Sequence, residues 1–338
     1  GIPYLIISSI KTHSQFGKSF NQSYSQTIKQ VRNNLYALQY RYGVIQEREV
    51  EDFITISDDV KPKYLYSFLL AFNSSEEYEF DGILGLGNIY PELDEDNSFD
   101  ERFSLVHNFY TNRLISKKIF GHEYYNRTHG YIYLGEVPNT MTGDYFKCQV
   151  SPFIPFLNKW HCESNHIAFS KGSNFTYFKS PYSFDTGYVD IKGPFFEGNT
   201  ILTELKQIAG EKCTFDLVEL GDDKRYVKLF CDEDTDVSKF SDLLFYLKGF
   251  ALRLKNIDMF RLVKINGVTK LLCKIIGDTR YKYWNLGEPV LKNYNMIFNY
   301  EDNSVGFIAN ENLLEGDWTL VIILGSIFVT IIIAACYL

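Results

Sequence analysis

Tyr182-Ser183-Phe184-Asp185-Thr186-Gly187-Tyr188-Val189-Asp190-Ile191-Lys192-Gly193-Pro194 puts a carboxylate on a tight turn, with apolar residues before it and a Gly-Pro stop after it. Alone, Asp-Thr-Gly carries little information, because all three are common turn residues. Two other stretches give it meaning. Downstream, Trp284-Asn285-Leu286-Gly287-Glu288-Pro289-Val290-Leu291 leads into Met296 to Phe307, a pattern that reads as a loop, a short helix and a closing hairpin. Upstream stands Phe80-Asp81-Gly82-Ile83-Leu84-Gly85-Leu86-Gly87. Its three glycines suggest a phosphate loop, but no Lys-Ser/Thr comes after them and Pro91 stops any helix, so that reading is set aside.

Together these stretches resemble the pepsin-like aspartic proteases (pepsin and cathepsin D type), from residue 1 to about Phe307. The resemblance implies a mostly β, bilobal fold, with an N-terminal lobe over 1–147, incomplete at its start, and a C-terminal lobe over 148–309. Gly1-Ile2-Pro3-Tyr4-Leu5-Ile6-Ile7-Ser8-Ser9 resembles the segment that begins at the glycine of that family's first Asp-Thr-Gly, with Gly1 as the motif's glycine. The first catalytic aspartate is then expected two positions before Gly1, and Asp185 is the second. Gly85 and Gly287 are the glycines of the loops that thread beside each catalytic turn. Gly1 to Gly85 spans 84 positions and Gly187 to Gly287 spans 100, as two divergent copies of one unit would give.

Leu35 to Ile56 is aromatic and β-branched around one glycine, which predicts a hairpin. By resemblance it is the flap over the cleft, with Tyr40 as the flap tyrosine and Gly43 at its tip; an ordinary surface hairpin with a packed Tyr40 is the alternative. Arg41, Tyr42 and Glu47 stand where the family has small residues. Phe103 to Ser116 has apolar residues at helical spacing, and Gly130 to Gly135 alternates as a strand. Val137 to Pro155 carries three prolines and is read as the connection between lobes.

The chain has 42 acidic against 34 basic side chains, a net charge of −8, and no basic run to release counterions, so nucleic acid is excluded as a partner. Sequons at Asn21, Asn73, Asn126 and Asn174 are glycosylation candidates and point to a lumenal or extracellular compartment. Of six cysteines, Cys336 lies in the terminal apolar run. By family placement Cys231 pairs with Cys273 in a second-lobe disulfide, leaving Cys148, Cys162 and Cys213 unassigned. His161, Cys162 and His166 with Cys148 raise a metal site, but the spacing fits no closed zinc motif; neither metal nor cofactor is expected.

Beyond a short polar linker, 310–317, Trp318 to Leu338 is apolar, and its last 20 residues are uncharged. As a helix they span about 30 Å, enough to cross a bilayer, with Trp318 and Tyr337 at the interfaces. A transmembrane helix over 318–338 is expected, with a glycolipid-anchor signal as the alternative.

The chemistry implied is peptide hydrolysis by a monomer acting on extended polypeptide. Two carboxylates within hydrogen-bond reach cannot both ionise, so they share a proton: one takes a proton from water while the other donates to the carbonyl oxygen. Thr186 and Gly187 support the turn. The family places a hydroxyl residue directly after the motif, where it bonds the carboxylate; here Tyr188 and Ile2 stand there, which is expected to raise the pair's proton affinity. Asn285 replaces an apolar residue in the second threading loop, and a buried amide there needs partners. A catalytically silent binding protein is the alternative reading.

Overall fold

The computed structural model describes residues 5–8, 29–40, 43–52, 66–74, 82–88, 104–124, 130–137, 145–150, 160–170, 175–176, 180–221 and 223–309. The first strands are β1 (Leu5–Ser8), β2 (Lys29–Tyr40), β3 (Gly43–Asp52), β4 (Tyr66–Ser74) and β5 (Gly82–Leu84). Helix α1 (Leu105–Thr111) precedes β6 (Ile119–Tyr124), β7 (Gly130–Leu134), β8 (Phe146–Gln149), β9 (Trp160–Cys162), β10 (His166–Phe169) and β11 (Phe175–Thr176). Next come β12 (Tyr182–Phe184), β13 (Ile191–Pro194), helix α2 (Phe195–Ala209), β14 (Cys213–Glu219), β15 (Arg225–Asp232), β16 (Leu243–Leu247) and β17 (Phe250–Leu254). The chain continues through β18 (Phe260–Ile265), β19 (Val268–Cys273), β20 (Ile275–Asp278), β21 (Trp284–Leu286), helix α3 (Glu288–Leu291), β22 (Tyr294–Asn299) and β23 (Ser304–Ala309).

The molecule is mostly β, and its described strands form four sheets. One holds β2-β3-β4-β1-β5, another β11-β10-β16-β17, and the largest β18-β19-β15-β20-β13-β21-β12-β9 with β14 on β15. The fourth, β7-β6-β22-β23-β8, joins strands from early and late in the chain. Strands form where apolar residues alternate: Val227, Leu229 and Cys231 of β15 and Leu243, Phe245 and Leu247 of β16 are buried. On α2 the buried positions are Gly198, Ile201, Leu202 and Leu205, one helical stripe. That stripe meets β20 backbone to backbone, since a Cβ on Gly198 would lie 2.5 Å from Gly277 Cα. Trp284, Tyr182, Phe245 and Phe307 are the largest fully buried side chains among the described residues.

Strand pairing repeats between the two halves. β1 runs parallel to β4 and antiparallel to β5, with Ile6 opposite both Leu69 and Ile83. β13 runs parallel to β20 and antiparallel to β21, with Lys192 opposite both Ile276 and Asn285. Ile6 lies as far beyond Gly1 as Lys192 lies beyond Gly187, and Ile83 precedes Gly85 as Asn285 precedes Gly287. Register therefore supports the glycine spacing independently.

The hairpin read over 35–56 is β2–β3, with Tyr40 and Gly43 as its last facing pair. The boundary drawn between 147 and 148 falls inside β8, which pairs with β23. Asn73 lies in β4, opposite Gln46. Gly1, Asn21, Asn126, Asn174 and the segments 310–317 and 318–338 lie outside the described residues. Among the described residues, no helix is long and apolar enough to cross a membrane.

The disulfide expected between Cys231 and Cys273 is corrected. Cys231 bonds Cys213, directly opposite it in the β14–β15 ladder with Cα atoms 4.0 Å apart. On its other side Cys231 faces Leu271, so Cys273 is displaced two positions along β19 and remains a free thiol, whose pKa burial pushes up to about 12. Cys148 and Cys162 form the second disulfide, 14 positions apart, which removes both thiols from any metal arrangement with His161 and His166. It ties β8 of the mixed sheet to β9 of the largest sheet.

Candidate active site

Between β12 and β13 the chain turns through Asp185 to Asp190, and β21 passes through the gap these strands leave. It lies parallel to β12, pairing Phe184 with Leu286, and antiparallel to β13. The Asp185 amide donates to Leu286 O at 3.0 Å, the Tyr188 amide to Asp185 O at 3.1 Å, and the Glu288 amide to Tyr188 O at 2.7 Å. This threading requires a residue without a side chain. A Cβ on Gly287 would sit 2.3 Å from Asp190 O and 2.4 Å from Tyr188 O, backbone atoms that cannot swing aside. Gly193 is equally constrained, by the Trp284 ring at 2.4 Å.

Asp185 is half-buried at the head of this unit, and its Oδ1 accepts the Gly187 amide at 3.2 Å; Thr186 and Gly187 are exposed on the turn. The first-half glycine, Gly85, is buried just after β5. One residue connects the two regions: Trp160 donates its indole N–H to Leu86 O at 2.7 Å, and its backbone pairs with Phe184, the residue before Asp185. The Tyr300 hydroxyl adds a bond to Gly87 O at 3.0 Å. Trp160 thus connects the segment after Gly85 to β12, the strand that leads into Asp185.

The eukaryotic aspartyl protease family model matches residues 4–310. The chain belongs to the eukaryotic aspartyl protease family. A search of curated proteins found no match. Membership places the chain among proteases whose substrates are polypeptides.

Within this member the surroundings of the turn carry unusual polarity. His161, Ser183, Asn285 and Lys192 form one cross-strand row through β9, β12, β21 and β13, each at most 6 % exposed. Among the described residues, the Ser183 hydroxyl and both polar atoms of the Asn285 amide find no hydrogen-bond partner, so the need that Asn285 creates is not met by these protein groups. Burial lowers the pKa of the Lys192 ammonium, which lies 5.1 Å from the Tyr188 ring and 5.8 Å from the Tyr281 ring. The Tyr188 hydroxyl sits 3.5 Å from that of Tyr281, whose own pKa burial raises. Asp190 approaches Arg261 at 3.3 Å without hydrogen-bond alignment, and burial outweighs that cation to raise its pKa.

Beneath the turn, Glu197 of α2 accepts from the Ser180 hydroxyl at 2.5 Å through Oε1 and from the Trp284 indole at 2.6 Å through Oε2. Burial raises its pKa above the ordinary carboxylate value. Sequence reading gave no role to Glu197, Lys192 or Ser183, and left the pairing of Cys213 open. For Glu197 the available signal was an acidic residue in the first turn of the helix after Gly-Pro; nothing local announces its partner 87 positions away. A concavity of about 1230 Å³, bounded by Tyr110, Leu114, Tyr133 and Glu136 among others, contains no residue of the Asp185 turn and is separate from this chemistry.

Proposed function

We propose that the parent protein is an aspartic endopeptidase that hydrolyses extended polypeptides with a water held between two aspartates. Asp185 is one, and the other lies two positions before Gly1. The observation that carries the reading is the repeated threaded unit: β21 between β12 and β13 holds Asp185, and β5 against β1 is its counterpart, in matching register. Two such units brought face to face set two carboxylates close enough to share a proton, which is what water activation and carbonyl protonation together require. Tyr40 and Gly43, at the end of the β2–β3 hairpin, are the flap that excludes water when substrate binds.

The two lobes divide near residue 147, the catalytic part faces a lumen or the cell exterior, and the apolar run 318–338 anchors it as a single transmembrane helix. The test is to read the residues that precede Gly1 and to assay the whole protein at acid pH with a pepstatin-type inhibitor. Aspartate two positions upstream and inhibited cleavage support the reading; another residue there removes the enzyme.

One observation favours a second reading, a silent relative that binds peptides without cutting them. Tyr188 occupies the position of the family's carboxylate-bonding hydroxyl, and its own hydroxyl is turned to Tyr281. Peptide binding by the whole protein without cleavage would select that reading.

A further inference from the structure

Among the described residues, a single carboxylate anchors both strands that frame Asp185 from below the turn. Ser180 lies two residues before β12, and its hydroxyl reaches Glu197 Oε1. Trp284 opens β21, and its indole N–H reaches Oε2 of the same side chain. β21 then supplies Leu286 O to the Asp185 amide, and Glu288, just beyond it, bonds Tyr188 O. Trp284 is fully buried, and its ring fills the space left by the missing side chain of Gly193, where β13 hands over to α2. Glu197 is therefore the point at which β12, β21 and the start of α2 meet.

We infer that Glu197 is a positioning residue for the Asp185 turn, a clamp that fixes the threading strand relative to the strand bearing the aspartate. Its two acceptor oxygens each take one donor from a different strand, a geometry that an aliphatic side chain cannot supply and a single-acceptor amide supplies in part. Hydrogen bonds to a charged acceptor are the strong class, so loss of both frees β21 locally more than it loosens the rest of the core. The Tyr182 phenol is the titratable neighbour that feels the Glu197 charge, and Tyr182 is itself held by its hydroxyl on His166 O at 2.8 Å.

This role rests on the proposed protease reading and deepens it, but its primary test does not depend on hydrolysis. Amide hydrogen exchange is measured on the whole protein for wild type, Glu197→Ala, Glu197→Gln and Trp284→Phe, the last keeping an aromatic ring and removing the N–H. Exchange at Asp185 and Glu288 is expected to quicken roughly tenfold or more in Glu197→Ala and Trp284→Phe, less in Glu197→Gln, and not at all in the β22–β23 hairpin. The Glu197→Ala/Trp284→Phe double variant is expected to add little beyond Glu197→Ala, because removing the carboxylate already deprives the Trp284 N–H of its acceptor. Unchanged exchange at Asp185, or an equal rise in β22–β23, overturns the inference. With an active enzyme, Glu197→Ala is expected to lower kcat with KM held and Glu197→Gln to restore most of it. Loss of hydrolysis in Asp185→Ala tests the protease reading separately.

Discussion

The two threaded units share register but not chemistry. In the first half the row across the unit is Ile6, Leu69 and Ile83, all aliphatic; in the second it is Lys192, Ile276 and Asn285, continued by Ser183 and His161. Because the first row makes the same strand arrangement without a polar side chain, the fold does not require polarity in the second. What the arrangement does require in the second half is glycine at the point of closest backbone approach, Gly287, and the first half has Gly85 at the same offset from its paired strand. Strand register is common to the two copies; the polar residue types along the row belong to the second.

The comparison breaks first at Gly287. Gly287→Ala drives a methyl into two carbonyl oxygens and is expected to cost about 3 kcal/mol or more, read from chemical denaturation of the whole protein. A stable, well-folded variant would mean that β21 does not thread as described. Next in size is the bridge found in the second half. Cys213→Ser is expected to lower stability by about 3 kcal/mol, given the 18 positions it closes, and to leave Cys231 reactive in the unfolded chain. Cys273→Val is expected to cost far less, and peptide mapping that linked Cys231 to Cys273 would reverse the pairing. Converting the polar row toward its aliphatic counterpart gives a gain: Asn285→Leu removes two unpaired buried atoms and is expected to stabilise by about 1 kcal/mol. Destabilisation there would show that the amide is satisfied in solution.

The smallest effect concerns pH. Burial raises the Glu197 carboxyl above its ordinary value of 4.5, so the native state binds its proton more readily than the unfolded chain does. The associated stability is fully present below the unfolded value and is lost as pH rises through the native one. Asp190 shifts in the same direction from 3.8. Melting curves taken from pH 4.5 upward are expected to show stability falling as pH rises, with Glu197→Gln flattening the slope. A slope unchanged by that substitution would contradict the assignment.

Legibility in the sequence divides along the same line. Gly287 was readable because close backbone approach imposes a local rule on residue type. The β2–β3 hairpin and the α3–β22–β23 end were readable from alternation and turn residues. The cysteine pairing was not, because family placement put Cys231 near Cys273 while Cys213 stands directly across the ladder. Glu197 was hidden for a related reason: its partners come from two strands, and only the folded register brings Ser180 and Trp284 to one carboxylate.

The central claim is that Asp185 is one of two acids sharing a catalytic proton, and cleavage of an extended peptide by the whole protein at acid pH, wild type against Asp185→Asn, tests it most directly. The account predicts a loss of about a thousandfold or more in kcat, with the melting temperature retained. Cleavage by Asp185→Asn at the wild-type rate would contradict it.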